Sequence, residues 1–174
     1  IRLVNMKSVQ GDPLPGAPFG EGPRAVLDEA IRMGKAEGMH CVDYGCGVVS
    51  MAWEEKEPDL GVWIHGDVVS EGTGWNFEPY NAVEYKGCVV GRGATDNKGQ
   101  LSAIFHLLKI FKEMNIPLKY NPALYVGSNE ESGMGDMEAF VANEKMPDLS
   151  LIPDSGFPCV LGEKGILRMW AKCD

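Results

Sequence analysis

The longest apolar runs in the sequence are strand-sized, and Gly, Pro or a charged residue interrupts each of them. A helix that crosses a bilayer needs about 20 consecutive apolar residues, so no segment reads as a membrane span, and no signal-peptide pattern opens the chain. The core must be built on a sheet. Helical periodicity is confined to two segments. "PRAVLDEAIRMGKAEG" (23–38) places Pro23 at a helix start and Gly38 at its end, with Val26, Leu27, Ala30, Ile31 and Met33 on one apolar face. "KGQLSAIFHLLKIFKEMN" (98–115) repeats Leu101, Ile104, Phe105, Leu108 and Phe111 at helical spacing until Pro117.

Around these lie runs of strand character: "CGVVSMAWE" (46–54), "DLGVWIHGD" (59–67), "YKGCVVGRG" (85–93), "PALYVGS" (122–128), "LSLIPDS" (149–155) and "GILRMWAK" (165–172). Helices alternating with buried-type strands predict an α/β domain of three layers. Its 44% hydrophobic and 24% charged content suits one ordered core. The formal net charge of −9 argues against nucleic acid or an anionic membrane as partner, since both would repel it. Five cysteines (Cys41, Cys46, Cys88, Cys159 and Cys173) stand at scattered spacings that fit neither a disulfide framework nor a zinc finger. They read as small buried hydrophobes in a cytoplasmic protein.

The informative pattern is where the strands end. "LGVWI" runs into His65 and Asp67, "ALYV" into Glu130 and Glu131, and "LSLI" through Pro153 into Asp154; "GRGATDNKG" adds Asp96 just before the second helix. In open α/β sheets the loops at the carboxyl ends of strands line the functional crevice. Five carboxylates gathered there would repel strongly unless a cation sat among them. One imidazole with several carboxylates is a donor set for zinc and related ions. A ligating histidine commonly gives its other ring nitrogen to a carboxylate, and Asp67 lies two residues on, on the same face if the strand continues.

Each piece has a plainer reading. "HGD" alone could be a turn with ordinary hydrogen bonds, and "NEES" a solvated loop or a capping sequence. "GRGATDNKGQ" lacks the Gly-Lys-Ser/Thr order of a phosphate loop. His106 points away from the apolar face of its helix, and His40 follows a helix end whose dipole a cation complements, so neither is a ligand candidate.

Taken together, four stretches resemble the zinc peptidases of the M20 type, most closely the PepV-like dipeptidases. They are "SVQGDPLPGAPFGEGPRAVLDEA", "HGDVVSEGTGWNFEPYNAVEYKGCVVGRGATDNKG", "GSNEESG" and "PDLSLIPDSGFPCVLGEKG", in that order along the chain. The resemblance implies a three-layer α/β/α catalytic domain with a mostly parallel mixed sheet, incomplete at its C-terminus. It implies two zinc ions, with cobalt or manganese as competitors, bridged by Asp96. His65 and Asp154 would complete the protein ligands of one ion, and Glu131 would bind the other. Glu130 would be the general base acting on a metal-bridging water, and Asp67 the residue that orients His65. Adjacent side chains on an extended segment diverge, which would let Glu130 and Glu131 take different tasks.

The sequence departs from the family at Ser70, where proline is usual, and at Asn97, where a second aspartate is common. It also lacks the lid domain and the late segment that supplies a second histidine. Residues 1–174 are therefore expected to be the N-terminal part of the catalytic domain, inactive alone, with an open sheet edge that favours association or a homodimer. The expected substrate is a small peptide. An N-acyl-amino-acid deacylase of the same family is the alternative enzyme, and a metal-binding relic the alternative without catalysis.

Overall fold

The computed structural model of the chain describes residues 1–156, 158–162, 165 and 169–173. Helix α1 (Glu21–Ala36) is followed by strands β1 (His40–Asp43), β2 (Val49–Ala52) and β3 (Leu60–His65), then by the short pair β4 (Val83–Tyr85) and β5 (Cys88–Val90). Helix α2 (Lys98–Glu113), strand β6 (Pro122–Gly127), a single 3-10 turn (Glu130–Ser132), helix α3 (Gly135–Asn143) and strand β7 (Leu149–Leu151) complete the order.

Five strands form one mixed sheet in the order β1-β2-β6-β3-β7, and β4 and β5 form a separate antiparallel hairpin. β6, β3 and β7 pair in parallel; β2 is antiparallel to both β1 and β6, so it alone runs against the other four. Strand alternation sends successive side chains to opposite faces, and β6 shows why the sheet needs cover on both. Leu124 and Val126 meet Val26, Leu27 and Ala30 of α1 and Leu101, Phe105 and Leu108 of α2. Ala123 and Tyr125 face the other way, where Phe140 of α3 closes a second cluster with Trp63. Trp63 and Tyr125 stack with centroids 4.1 Å apart, and Phe140 meets the Trp63 ring edge-on at 5.3 Å. Helices α1 and α2 on one face and α3 on the other make the three-layer α/β/α arrangement that the sequence implies.

Several local expectations are corrected. α1 begins at Glu21, so Pro23 sits inside the first turn, where its missing N–H still costs nothing. His40 follows the end of α1 at Ala36 and opens β1, a four-residue edge strand too short and too exposed to show an apolar pattern. α3 went unread because only Asp136 and Phe140 of its nine residues are buried. The strand expected over 165–172 falls partly on residues outside those described, and Gly165 and 169–172 lie in no strand. The cysteines are not a buried set: Cys41 and Cys46 are half-buried, and Cys88, Cys159 and Cys173 are exposed, all five with free thiols. Among the described residues no helix is long and apolar enough to cross a membrane.

Candidate metal centre

β3 delivers His65 to the carboxyl end of the parallel part of the sheet, and the chain then turns through Gly66. A Cβ at Gly66 would lie 2.6 Å from Val26 Cγ1 of α1, so only glycine allows the helix this close. β3 ends at His65, which removes the same-face argument for Asp67. The turn itself brings the two together. His65 Nδ1 lies 3.0 Å from the Asp67 backbone carbonyl and 3.6 Å from the Asp67 carboxylate. A carbonyl only accepts, so Nδ1 carries the proton, and Nε2 faces outward with a lone pair, or with a proton when the ring is charged.

Nε2 looks into the carboxylates. It is 2.9 Å from Asp96 Oδ1, 3.3 Å from Asp154 Oδ2 and 3.9 Å from Glu130 Oε2. His65 itself is 4% exposed, whereas the side chains of Asp96, Glu130 and Asp154 are 60%, 41% and 25% exposed. Two overlapping groups, His65–Glu130–Asp154 and His65–Asp96–Glu131, each bring one ligand atom per residue to within 4.8 Å of the others. All five predicted ligand or base residues thus converge, and His65 is the one imidazole in either group. His106 is exposed on α2, its Nδ1 2.7 Å from the Ser102 carbonyl.

Glu130 and Glu131 do not stand on an extended segment; they begin the 3-10 turn. Successive residues there are about 120° apart around the axis, and this rotation rather than strand alternation sends the two carboxylates in different directions. Asp67 holds the turn in place. It is 1% exposed, and its Oδ1 and Oδ2 accept the N–H groups of Glu130 and Glu131, each at 3.1 Å.

The electrostatics follow from this crowding. Burial disfavours the His65 imidazolium, but the Asp67 contact and the charges of Asp67, Asp154 and Glu130 outweigh it and raise the pKa to about 9. Burial raises the carboxyl pKa of Glu130, with Asp154, Glu131 and Asp67 adding to the effect and His65 opposing it. Glu131 and Asp154 are raised in the same way, burial first and Asp96 next among the anions. Like charges about 4 Å apart cost about 4 kcal/mol at an effective dielectric of 20, several times what an exposed ion pair returns. One imidazolium cannot balance five carboxylates.

The sequence reading passed over two supporting residues. Lys98, buried at the start of α2, donates from Nζ to the Met6 carbonyl at 2.7 Å, and burial lowers its pKa to about 8 against the pull of Asp67. A cation at a helix N-terminus opposes the dipole, and that misfit was the available signal that an anion lay near. Ser8 Oγ donates to the Gly66 carbonyl at 2.7 Å while the Val68 N–H donates to the Ser8 carbonyl, so the N-terminal segment braces the His65–Asp67 turn. A cleft of about 240 Å³ lies elsewhere, against Tyr44, Ser50 and Tyr125, and no candidate ligand lines it.

The site is thus a set of carboxylates around a single imidazole at the carboxyl ends of the parallel strands of a three-layer α/β domain. The sequence profile of peptidase family M20/M25/M40 matches residues 62–168, more than half of the chain, and the chain belongs to that family. It is 38% identical over 153 residues to a Bacillus subtilis (strain 168) protein named "Putative dipeptidase YtjP", covering 88% of this chain and 33% of the relative. The Staphylococcus saprophyticus protein named "Putative dipeptidase SSP1012" is 34% identical over 168 residues, covering 94% of this chain and 35% of the relative. The chain thus spans about a third of the length of these relatives. Human carnosine dipeptidase 1 shares the fold with a TM-score of 0.73 at 22% identity, over 90% of this chain and 37% of that one. The M20 family metallo-carboxypeptidase Sso-CP2 from Sulfolobus solfataricus gives 0.69 at 22% identity, over 89% and 36%.

Proposed function

We propose that these residues form the N-terminal part of the catalytic domain of a longer, metal-dependent dipeptidase, with Glu130 as its general base. The observation that carries this reading is the setting of His65. Its Nδ1 is committed to the Asp67 carbonyl, and its Nε2 is aimed at carboxylate oxygens 2.9 and 3.3 Å away, an arrangement that calls for a cation between them. Charge supports two divalent ions: with His65 neutral, the five carboxylates less the Lys98 ammonium leave an excess of four negative charges.

Asp96, His65 and Asp154 would hold one ion, and Asp96 with Glu131 the other. Zinc is the ion we assign, with cobalt and manganese as competitors for the same donors. When bound, the ions supply an acidified water and a polarised substrate carbonyl.

The chain's own residues do the rest. Glu130, partly exposed beside Nε2 and with its pKa raised, accepts the proton of the attacking water and delivers it to the leaving amine. Asp67 fixes the His65 ring through its carbonyl and the base through its carboxylate, so the imidazole and Glu130 are aligned by one residue. Five free thiols accord with a reducing, cytoplasmic setting.

The test is hydrolysis of unblocked dipeptides and N-acyl amino acids by the full-length polypeptide, with and without added zinc. Zinc-dependent dipeptide turnover that disappears in Glu130→Gln supports the proposal. Turnover of acyl substrates alone moves the protein to the deacylase branch, and retained activity in Glu130→Gln removes Glu130 from the role of base.

A further inference from the structure

The acidic turn is gripped from two sides by buried carboxylates, and only one of them has a role above. Four consecutive amides, from Ser128 to Glu131, turn inward. Asp67 takes the second two. The first two, Ser128 N–H and Asn129 N–H, donate to Asp136 Oδ2 at 2.6 and 3.0 Å, and Asp136 Oδ1 accepts the N–H of Met137 at 2.8 Å. Asp136 lies in the first turn of α3 and is 1% exposed.

The surrounding loop closes on this carboxylate. Asn129 Oδ1 accepts the Gly135 N–H at 3.0 Å, and the Asn129 carbonyl accepts the Met134 N–H at 2.8 Å. A Cβ at Gly127 would stand 2.7 Å from Asp136 Oδ2, so glycine leaves the room that the carboxylate occupies. A buried carboxylate is costly unless its oxygens are satisfied, and three backbone donors together with the start of a helix supply that satisfaction. Asparagine at this position would offer one accepting oxygen where the carboxylate uses both.

We infer that Asp136 is a positioning residue of the metal centre, setting the Ser128–Asn129 segment so that Glu130 and Glu131 emerge beside His65. Asp67 and Asp136 thereby divide the four amides, two each, and a helix on the far face of the sheet reaches the site through one side chain. Phe140, one helical turn further along α3, anchors that helix on Trp63 and Tyr125. The inference rests on the metal-centre reading above.

The experiment is titration of the full-length polypeptide, stripped of metal, with Co²⁺, following the visible absorption of the bound ion. Asp136→Asn removes an acceptor at nearly constant shape. Gly127→Ala leaves Asp136 in place and pushes its carboxylate aside. Met51→Ala, a core truncation in β2, is the control for general loosening. Both loop variants are expected to weaken Co²⁺ binding about 10- to 100-fold and to alter the spectrum, while Met51→Ala lowers the melting temperature and leaves affinity and spectrum unchanged. Should Asp136→Asn not fold, Gly127→Ala decides alone. Unchanged binding in the folded loop variants, or an equal loss in Met51→Ala, overturns the inference and leaves the metal centre standing. No Co²⁺ binding by the unaltered full-length polypeptide overturns both.

Discussion

His65, Glu130 and Glu131 leave the middle of the sheet, from β3 and β6, each flanked by strands on both sides; Asp154 follows β7, which has one neighbour among the described residues and three exposed residues of its own. At the centre, positions are fixed by buried bonds that need no ion: the Asp67 carbonyl on His65 Nδ1, and the Asp67 carboxylate on the turn that carries both glutamates. At the edge, Asp154 is held mainly by charge, 3.3 Å from His65 Nε2 with a quarter of its side chain exposed. The difference separates two kinds of carboxylate within one cluster. Asp67 belongs to the folded structure, and Asp154, under the proposed function, to the ion.

The largest effect should come from Glu130, the proposed base. Glu130→Gln keeps the shape of the turn and removes proton transfer, so turnover by the full-length enzyme should fall by about 10²- to 10⁴-fold with Co²⁺ affinity little changed. A comparable loss of metal affinity would make Glu130 a ligand and erase the division of labour in the turn. Next in size is pH. The His65 pKa is raised from about 6.5 to about 9, so the stability its imidazolium gives the metal-free chain is complete below pH 6.5 and lost as pH climbs through 9. Metal binding runs the other way. The ion must displace that proton, and affinity should rise by about tenfold per pH unit until it levels near 9. Calorimetry in two buffers of different ionisation heat would count the proton, and an affinity flat from pH 7 to 9 would show that His65 is not a ligand.

The sharpest test of centre against edge pairs two substitutions. Asp67→Asn leaves one of two buried amides without an acceptor and should cost about 1–3 kcal/mol of stability in the metal-free chain. Asp154→Asn removes an anion that attracts His65 and repels Asp96, so the two effects offset and stability should stay within about 0.5 kcal/mol, while metal binding weakens. Equal stability losses in urea unfolding would break the comparison.

Much of this was legible in the sequence because the signals were periodic or terminal. The α1 and α2 repeats, the buried run of β6 and the ends of β3, β6 and β7 all showed themselves, and they locate His65, Asp96, Glu130, Glu131 and Asp154. What escaped was short or inverted. β1 has four residues on an exposed edge, and α3 buries too little to display a helical face. Asp136 carries no local signal, since its partners lie seven and eight residues back. The backbone under Glu130 and Glu131 was also hidden: two adjacent acids in a Gly-bounded stretch read equally as a strand end or a tight turn, and only the distant Asp67 carboxylate selects the turn.

The smallest expected effect asks how firmly the edge is joined to the centre. Trp63 of β3 donates its indole N–H to Ser150 Oγ of β7 at 3.1 Å, a side-chain tie beside the parallel ladder, four residues before Asp154. Ser150→Ala should cost about 0.5–1.5 kcal/mol, the range for one hydrogen bond, and lower the melting temperature by a few degrees. Because β7 does not fix Asp154 in the way that Asp67 fixes the acidic turn, Co²⁺ affinity should change by less than about threefold, below the range typical of residues that support metal ligands. A tenfold loss would mean that edge and centre form one preorganised unit, with Asp154 positioned through β7 and not by the ion it faces.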